Sequence, residues 1–388
     1  GICSLNEGAL RLTMSCVMTI NKQGKVIDYD IFESYIKSAK KMTYEAVNDI
    51  LMRDIVAPGY EPFADTLKEM NELAHILRKE KMSRGYIDFD LDEPEIIQDE
   101  QGRAIDIVRV EREDGEKLIE DFMIAANETV ASHIYNMDLP FIYRVHGKPN
   151  TEKIEDFTNL LKILGYQLQT KVYDLTPITM QHILKELDDK PEFTILSSML
   201  LRSMKKAEYS KENIGHFGLA SKAYTHFTSP IRRFPDLTVH RLLKKYLVEK
   251  DFSMHTIDYL NTSLVQIAEH SSEREVAAQQ AERDVADMKM AEYMESHIGE
   301  IYDAIIDSVT NYGFYVELPN LVEGLVHVNS LKGDYYEYVP DLLSLIGKST
   351  KKTYRIGDKL RVRCVSANKE TALIDFEIVE EQENGSQE

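Results

Sequence analysis

Two arginines at an expected helix start, just behind a Ser-Pro break, are the residues of this sequence best suited to chemistry. The string Tyr224-Thr225-His226-Phe227-Thr228-Ser229-Pro230-Ile231-Arg232-Arg233-Phe234-Pro235-Asp236-Leu237 follows a Gly-rich turn at residues 213–220. Proline is favoured near a helix N-terminus. Helix-start amides beside Arg232 and Arg233 would form a phosphate site, with the guanidiniums supplying paired N–H donors. A capped helix with solvated arginines is the plainer reading of the same residues. A second set, Asp88, Asp90 and Asp92, alternates along an expected strand, as cation-holding carboxylates would. No calcium-loop glycine follows in the required place, so an acidic edge strand facing solvent is preferred.

Charge sharpens the first candidate. The net charge is −20, which taken globally opposes nucleic-acid binding. Yet residues 201–250 carry eleven basic residues against four acidic ones, a local balance of +7. A second basic cluster comprises Lys348, Lys351, Lys352, Arg355, Lys359, Arg361 and Arg363. Basic channels in an acidic shell admit a polyanion along a defined path and repel it elsewhere. The plainer reading of each cluster is a solvated face.

The elements that must position these residues read as follows. Residues 10–18 alternate as a half-buried strand, 21–24 form a turn, and Val26-Ile27 restart a strand. Helices are expected over about 36–52, 64–81 and 117–135, and residues 85–91 alternate again. Residues 151–250 read as mostly helical. Residues 256–296 contain no Pro or Gly and predict one helix of about 40 residues, ~60 Å long. Its apolar stripe slips midway, so it packs along a domain rather than in a coiled coil. From Gly299 the pattern becomes short strands to about Glu380, and residues 383–388 read as a disordered tail. The expected domains are 1–295, 296–382 and the tail 383–388. No run of ~18 apolar residues is present, so no helix is expected to span a membrane. Cys3, Cys16 and Cys364 are far apart, which suggests no disulfide framework and fits the cytoplasm.

The C-terminal strands carry Tyr312-Gly313-Phe314-Tyr315-Val316-Glu317-Leu318, then Val322-Glu323-Gly324-Leu325-Val326-His327-Val328, then Ile356-Gly357-Asp358-Lys359-Leu360. This order resembles the S1 domain, a five-stranded OB-type barrel that binds single-stranded RNA. The resemblance places Tyr312, Tyr315 and His327 on the RNA face, where flat rings stack on bases. Tyrosines stand where that family usually has phenylalanines.

The whole string around Arg232 resembles the signature of the ribonuclease II/R family, the RNB domain. Lys41-Met42-Thr43-Tyr44 and Leu118-Ile119-Glu120-Asp121-Phe122-Met123-Ile124-Ala125-Ala126-Asn127-Glu128 agree with it. Asp334-Tyr335-Tyr336-Glu337-Tyr338 points to the ribonuclease R branch. The resemblance implies an α+β RNB domain, N-terminally truncated, followed by an all-β S1 barrel. It implies a processive 3′→5′ exoribonuclease acting on single-stranded RNA, and on structured RNA with a 3′ overhang, to release nucleoside monophosphates. Arg232 matches the arginine that holds the scissile phosphate, Glu120 a carboxylate at the terminal ribose, and Tyr44 a tyrosine that positions the terminal nucleotide. Phe89 matches an aromatic that stacks on the 3′-terminal bases. His216, Ser229 and Arg233 are expected along the RNA path. Taken alone, each of these residues reads as structural. The family's Mg²⁺ ligands lie upstream of the position matching Gly1, so the chain by itself is expected to be catalytically incomplete, with no metal ligand of its own. A monomer is expected, with ribosome association open. The alternatives are a non-catalytic, ribosome-associated RNA-binding adaptor on an RNB-S1 scaffold, and a translation factor with an S1 domain. The second leaves the string around Arg232 unexplained.

Overall fold

In a computed structural model that describes residues 2–87, 93–168, 175–187, 189–190 and 193–379, the chain opens with a long antiparallel hairpin. Strand β1 (Leu10–Ile20) pairs with β2 (Val26–Lys37) from Leu10 opposite Lys37 to Ile20 opposite Val26. The helix expected from residue 36 starts later, as α1 (Tyr44–Arg53). Ile31, Phe32, Tyr35 and Ile36 lie opposite Cys16, Ser15, Leu12 and Arg11, and such β-branched and aromatic side chains favour a pleated pair over a helix. Thr43 caps α1 by accepting the Ala46 N–H.

Helix α2 (Ala64–Ser83) ends before Gly85, whose φ of +103° suits glycine. Strands β3 (Glu93–Gln98) and β4 (Ala104–Val110) then form a ribbon that the sequence pattern did not reveal. Helix α3 (Asp114–Asn136) crosses both earlier helices. Its Gly115 permits the approach of α1, because a Cβ there would lie 2.7 Å from Asn48 Oδ1. Its Asp121 is buried and receives Lys81 Nζ at 2.8 Å and Arg78 Nη2 at 2.9 Å from α2.

Strand β5 (Tyr143–Val145) leads into α4 (Thr151–Ile163), α5 (Pro177–Leu187) and α6 (Phe193–Arg202), and β6 (Glu208–Ser210) returns to pair with β5. Helix α7 (Phe234–Leu243) runs into a π-turn, and α8 (Met254–Glu295) spans 42 residues, as its unbroken sequence predicts. Val130, Ile134, Phe141, Val239, Leu243 and Leu264 form one core between α3, α7 and α8. A second core joins Phe157, Met180 and Leu196 of α4–α6 to Phe314, Val326 and Phe376 inside the barrel.

That barrel contains β7 (Ile301–Thr310), β8 (Gly313–Glu317) and β9 (Glu323–His327). After β9 come β10 (Tyr336–Val339), β11 (Ser344–Gly347) and β12 (Thr353–Arg355), a separate three-stranded sheet that was not anticipated. Strands β13 (Lys359–Asn368) and β14 (Leu373–Ile378) then close the barrel in the order β13-β14-β9-β8-β7. The expected tail at 383–388 lies outside the described residues.

A largely buried chain of rings precedes the segment leading to Arg232. His146, His216, Tyr224, His226 and Tyr209 follow one another with centroid separations of 5.1, 5.4, 5.7 and 5.6 Å. His146 and His216 accept at Nδ1 from the Gly218 and Leu219 N–H groups, and His226 Nδ1 shares a 2.7 Å hydrogen bond with the Tyr209 hydroxyl. Neither His146 nor His216 gains a proton there without losing that bond. Burial pushes His216 down to about 3, and burial with Arg233 and Arg144 nearby pushes His226 down to about 2. An unfolded histidine titrates near ~6.5, so below that pH the unfolded chain binds protons that the native chain refuses. The stabilisation is complete above pH ~6.5 and falls away as the pH drops toward these native values. Between pH 7.5 and 5.5 we expect each of the two rings to cost about 1 kcal/mol of stability, a window in which carboxylates contribute little. Urea titrations across that window measure it. A flat profile, or an unchanged slope in His226→Gln, contradicts the assignment.

Candidate functional site

The segment from Ser229 to Asp236 is built around one carboxylate. Asp236 lies in the first turn of α7 and is 0 % exposed. Its Oδ1 accepts the Ser229 N–H at 2.7 Å and Arg233 Nη2 at 2.9 Å, and its Oδ2 accepts Arg233 Nε at 2.8 Å. The Ser229 carbonyl accepts the Arg232 and Arg233 amides. Pro235, in the first helical turn, needs no amide partner. Arg233 is thereby turned inward as a two-pronged clamp. Arg232 is exposed and makes no ion pair among the described residues. Of the two arginines expected at a phosphate, one is available and the other holds the loop.

Helix α3 reaches the same region. Asn127 accepts the Phe227 N–H at 3.0 Å and donates to the Tyr224 hydroxyl at 3.0 Å. Glu120 lies two turns earlier on that helix, ~10 Å along its axis. Tyr86 donates to Glu120 Oε1 at 3.0 Å, Arg112 to Oε2 at 3.0 Å, and Lys81 Nζ stands 3.6 Å from Oε1. Lys81 also sits 3.9 Å above the Tyr86 ring. Each carboxylate oxygen keeps a lone pair for a further donor. Tyr44 is 52 % exposed at the first residue of α1. The structure thus ties Glu120 and the Arg232 loop to one helix and leaves Tyr44 on a neighbouring one. His216 is half-buried within the ring stack, and Ser229 is half-buried. Phe89 and the triad Asp88, Asp90 and Asp92 lie outside the described residues.

Sequence reasoning missed Asp236, Asn127, Tyr86, Lys81 and Arg112. A polar Asn127 in an apolar helix pattern, and an aspartate three residues after Arg233, were the available signals. Lys81, Tyr86 and Arg112 gave none, because their meeting is tertiary.

The barrel displays the second set. On β8, Phe314 and Val316 point inward at 0 % exposure, which turns Tyr315 outward. Gly313 pairs with His327 and Tyr315 with Leu325, so Tyr315 and His327 share one face. Tyr312 stands edge-on to Tyr315, ring centroids 6.5 Å apart, with hydroxyls at 3.4 Å. That hydrogen bond, more than burial, pushes Tyr315 up to about 12. His327 accepts the Asn329 N–H at Nδ1 and remains exposed. Two rings and an imidazole form a surface suited to bases.

No three His, Cys, Asp or Glu side chains converge as a metal site among the described residues. No helix among them is long and apolar enough to cross a membrane.

Residues 1–249 match the RNB domain and residues 295–378 the S1 RNA binding domain. The chain is 46% identical over 378 residues to ribonuclease R 1 of Lactococcus lactis subsp. lactis (strain IL1403), covering 97% of this chain and 46% of that protein. It superposes with a TM-score of 0.90 and 29% identity on Mycoplasma genitalium RNase R in complex with ribose methylated single-stranded RNA, covering 97% of this chain and 59% of that one. The same enzyme in complex with double-stranded RNA gives 0.83 and 26% identity, covering 97% and 62%. The chain spans about half the length of the curated relatives it matches. Its match over residues 1–249, continued by the aromatic-faced barrel, makes this chain a member of the RNB-domain family that carries an S1 RNA binding domain.

Proposed function

We propose that this chain is the RNA-threading part of a 3′→5′ exoribonuclease that hydrolyses RNA to nucleoside 5′-monophosphates. The observation that carries the reading is Arg232, displayed alone on a loop that buried Asp236 holds rigid. Preorganised cations of this kind act where phosphate charge develops. In this reading Arg232 holds the scissile phosphate, and Glu120 offers a free lone pair to the terminal 2′-hydroxyl, which distinguishes RNA from DNA. Tyr44 and Phe89 pack the last nucleotides. Ser229, Arg233 and His216 act through Arg232 by fixing its loop. Tyr312, Tyr315 and His327 receive the incoming strand. The Mycoplasma genitalium enzyme's complex with double-stranded RNA supports including structured RNA with a 3′ overhang. The free thiols of Cys3, Cys16 and Cys364 suit a cytoplasmic setting.

Glu120 and Asp121 are committed to Tyr86, Arg112, Arg78 and Lys81. The Mg²⁺ implied by the resemblance is assigned to none of the described residues, among which no three His, Cys, Asp or Glu side chains converge.

The test uses a 5′-labelled single-stranded RNA with Mg²⁺. It compares this chain with the chain fused to the part of the Lactococcus lactis relative that it does not match. The fusion should shorten the RNA from its 3′ end. A fusion that binds RNA and never shortens it supports the adaptor reading instead. In the active fusion, Arg232→Ala should slow hydrolysis by about a hundred- to a thousand-fold and leave folding intact. Arg233→Ala should lower stability by about 3 kcal/mol, because it strands a buried carboxylate; equal stability of the two variants contradicts the division of roles. Replacing Tyr312 and Tyr315 together with Ala should weaken binding of single-stranded RNA by about 1–3 kcal/mol for each base unstacked. Fluorescence anisotropy measures it, and parental affinity argues against the aromatic face.

A further inference from the structure

The three-stranded sheet inserted between β9 and β13 carries a feature that the aromatic face does not use. Its β11–β12 turn, residues 348–352, presents Lys348, Lys351 and Lys352, all exposed and without an ion pair among the described residues. Beside it stands Tyr335, 68 % exposed, with Lys348 Nζ 5.1 Å above its ring. The turn is rigid. Asp334 Oδ2 accepts the Ser349 N–H at 2.8 Å, the Thr350 N–H at 2.6 Å and the Thr350 hydroxyl at 2.7 Å. The Lys348 N–H bonds to the Tyr335 carbonyl, and the Gly347 N–H to that of Lys352. A Cβ on Gly347 would lie 2.6 Å from Asp334 Oδ2, so only glycine lets the carboxylate in. Lys351 holds a φ of +60°.

The charge balance is specific. Asp334 faces the turn's amides, Asp358 pairs with Arg355, and Glu337 is the exposed acid on β10. Three ammoniums on five residues thus face outward from a chain of net charge −20. Lysines without carboxylate partners, fixed beside an exposed ring, suit a flexible polyanion that also carries flat groups. Tyr335 lies eight positions after His327, so its Cα is within ~29 Å of that of His327.

We propose that the turn at residues 348–352 with Tyr335 is a second RNA contact, gripping the phosphodiester backbone of a strand that continues from the Tyr312–Tyr315–His327 face, without regard to sequence. It rests on the reading of this chain as an RNA binder. Phosphate contacts release counterions, so they set the salt dependence of binding, whereas base stacking does not.

The test is anisotropy with a fluorescein-labelled single-stranded oligoadenylate and the full 388-residue chain, from about 50 to 200 mM salt. The triple variant Lys348→Gln, Lys351→Gln, Lys352→Gln should bind about tenfold more weakly at low salt and reduce the log–log salt slope by about 2, the share of three phosphate contacts. Tyr335→Ala should weaken binding several-fold at unchanged slope. Thermal midpoints equal to the parent's establish folding. An unchanged slope in the triple variant overturns the proposal, even if Tyr312→Ala with Tyr315→Ala weakens binding. A reduced slope with no effect of those two tyrosines sustains the lysine turn and removes the aromatic-face reading. Failure of the parent chain to bind overturns both. Lysine-dependent retention on phosphatidylserine vesicles, with an unchanged RNA slope, reassigns the turn to lipid.

Discussion

A carboxylate with no exposure to water, Asp236, is the constraint on which the candidate site depends. An ion cannot sit in that environment unpaired, and removing one partner of such a pair costs about 3–5 kcal/mol. Asp236 therefore fixes the Arg233 fork and the Ser229 amide together. Two consecutive arginines cannot both turn toward it. The geometry that satisfies the buried charge is the geometry that sends Arg232 outward. Asp121 repeats the device on α3. It is buried against Lys81 and Arg78, and the adjacent Glu120 is left on the accessible side. In both places a buried ion pair contributes little net stability but permits one orientation of its exposed neighbour.

The ring stack beneath extends this control. His146, His216 and His226 each spend Nδ1 on a hydrogen bond. Neutral rings can be packed side by side where cations would repel one another. Positive charge is thereby kept off the stack, whose neighbours Arg144 and Arg233 already carry it.

The barrel was legible through its resemblance to the S1 domain, and strand alternation explains why Tyr315 and His327 share a face. Once Phe314 and Val316 are inward, Tyr315 must be outward, and pairing with β9 carries His327 to the same side. The 42-residue α8 was legible because no Pro or Gly interrupts it. The start of α1 was not. Helical spacing from residue 36 lost to cross-strand pairing of Ile31, Phe32, Tyr35 and Ile36, which no local pattern announces. The β3–β4 ribbon was hidden for a similar reason. Its place is fixed by α8, where Glu292 accepts the Ala104 N–H from nearly two hundred residues away.

The arginine pair shows where sequence reasoning stops. Residue type and helix-start position made Arg232 and Arg233 equivalent candidates for a phosphate. What separates them is which one the buried carboxylate claims, and that follows from the first turn of α7. Asp236 stands three residues after Arg233, one helical turn along, so the two side chains meet on one face. Arg232, four residues before Asp236, precedes the N-cap, where the chain has left the helix and the same spacing no longer implies contact. The family resemblance singles out Arg232, but that Arg233 clamps Asp236 is readable only from the helix boundary.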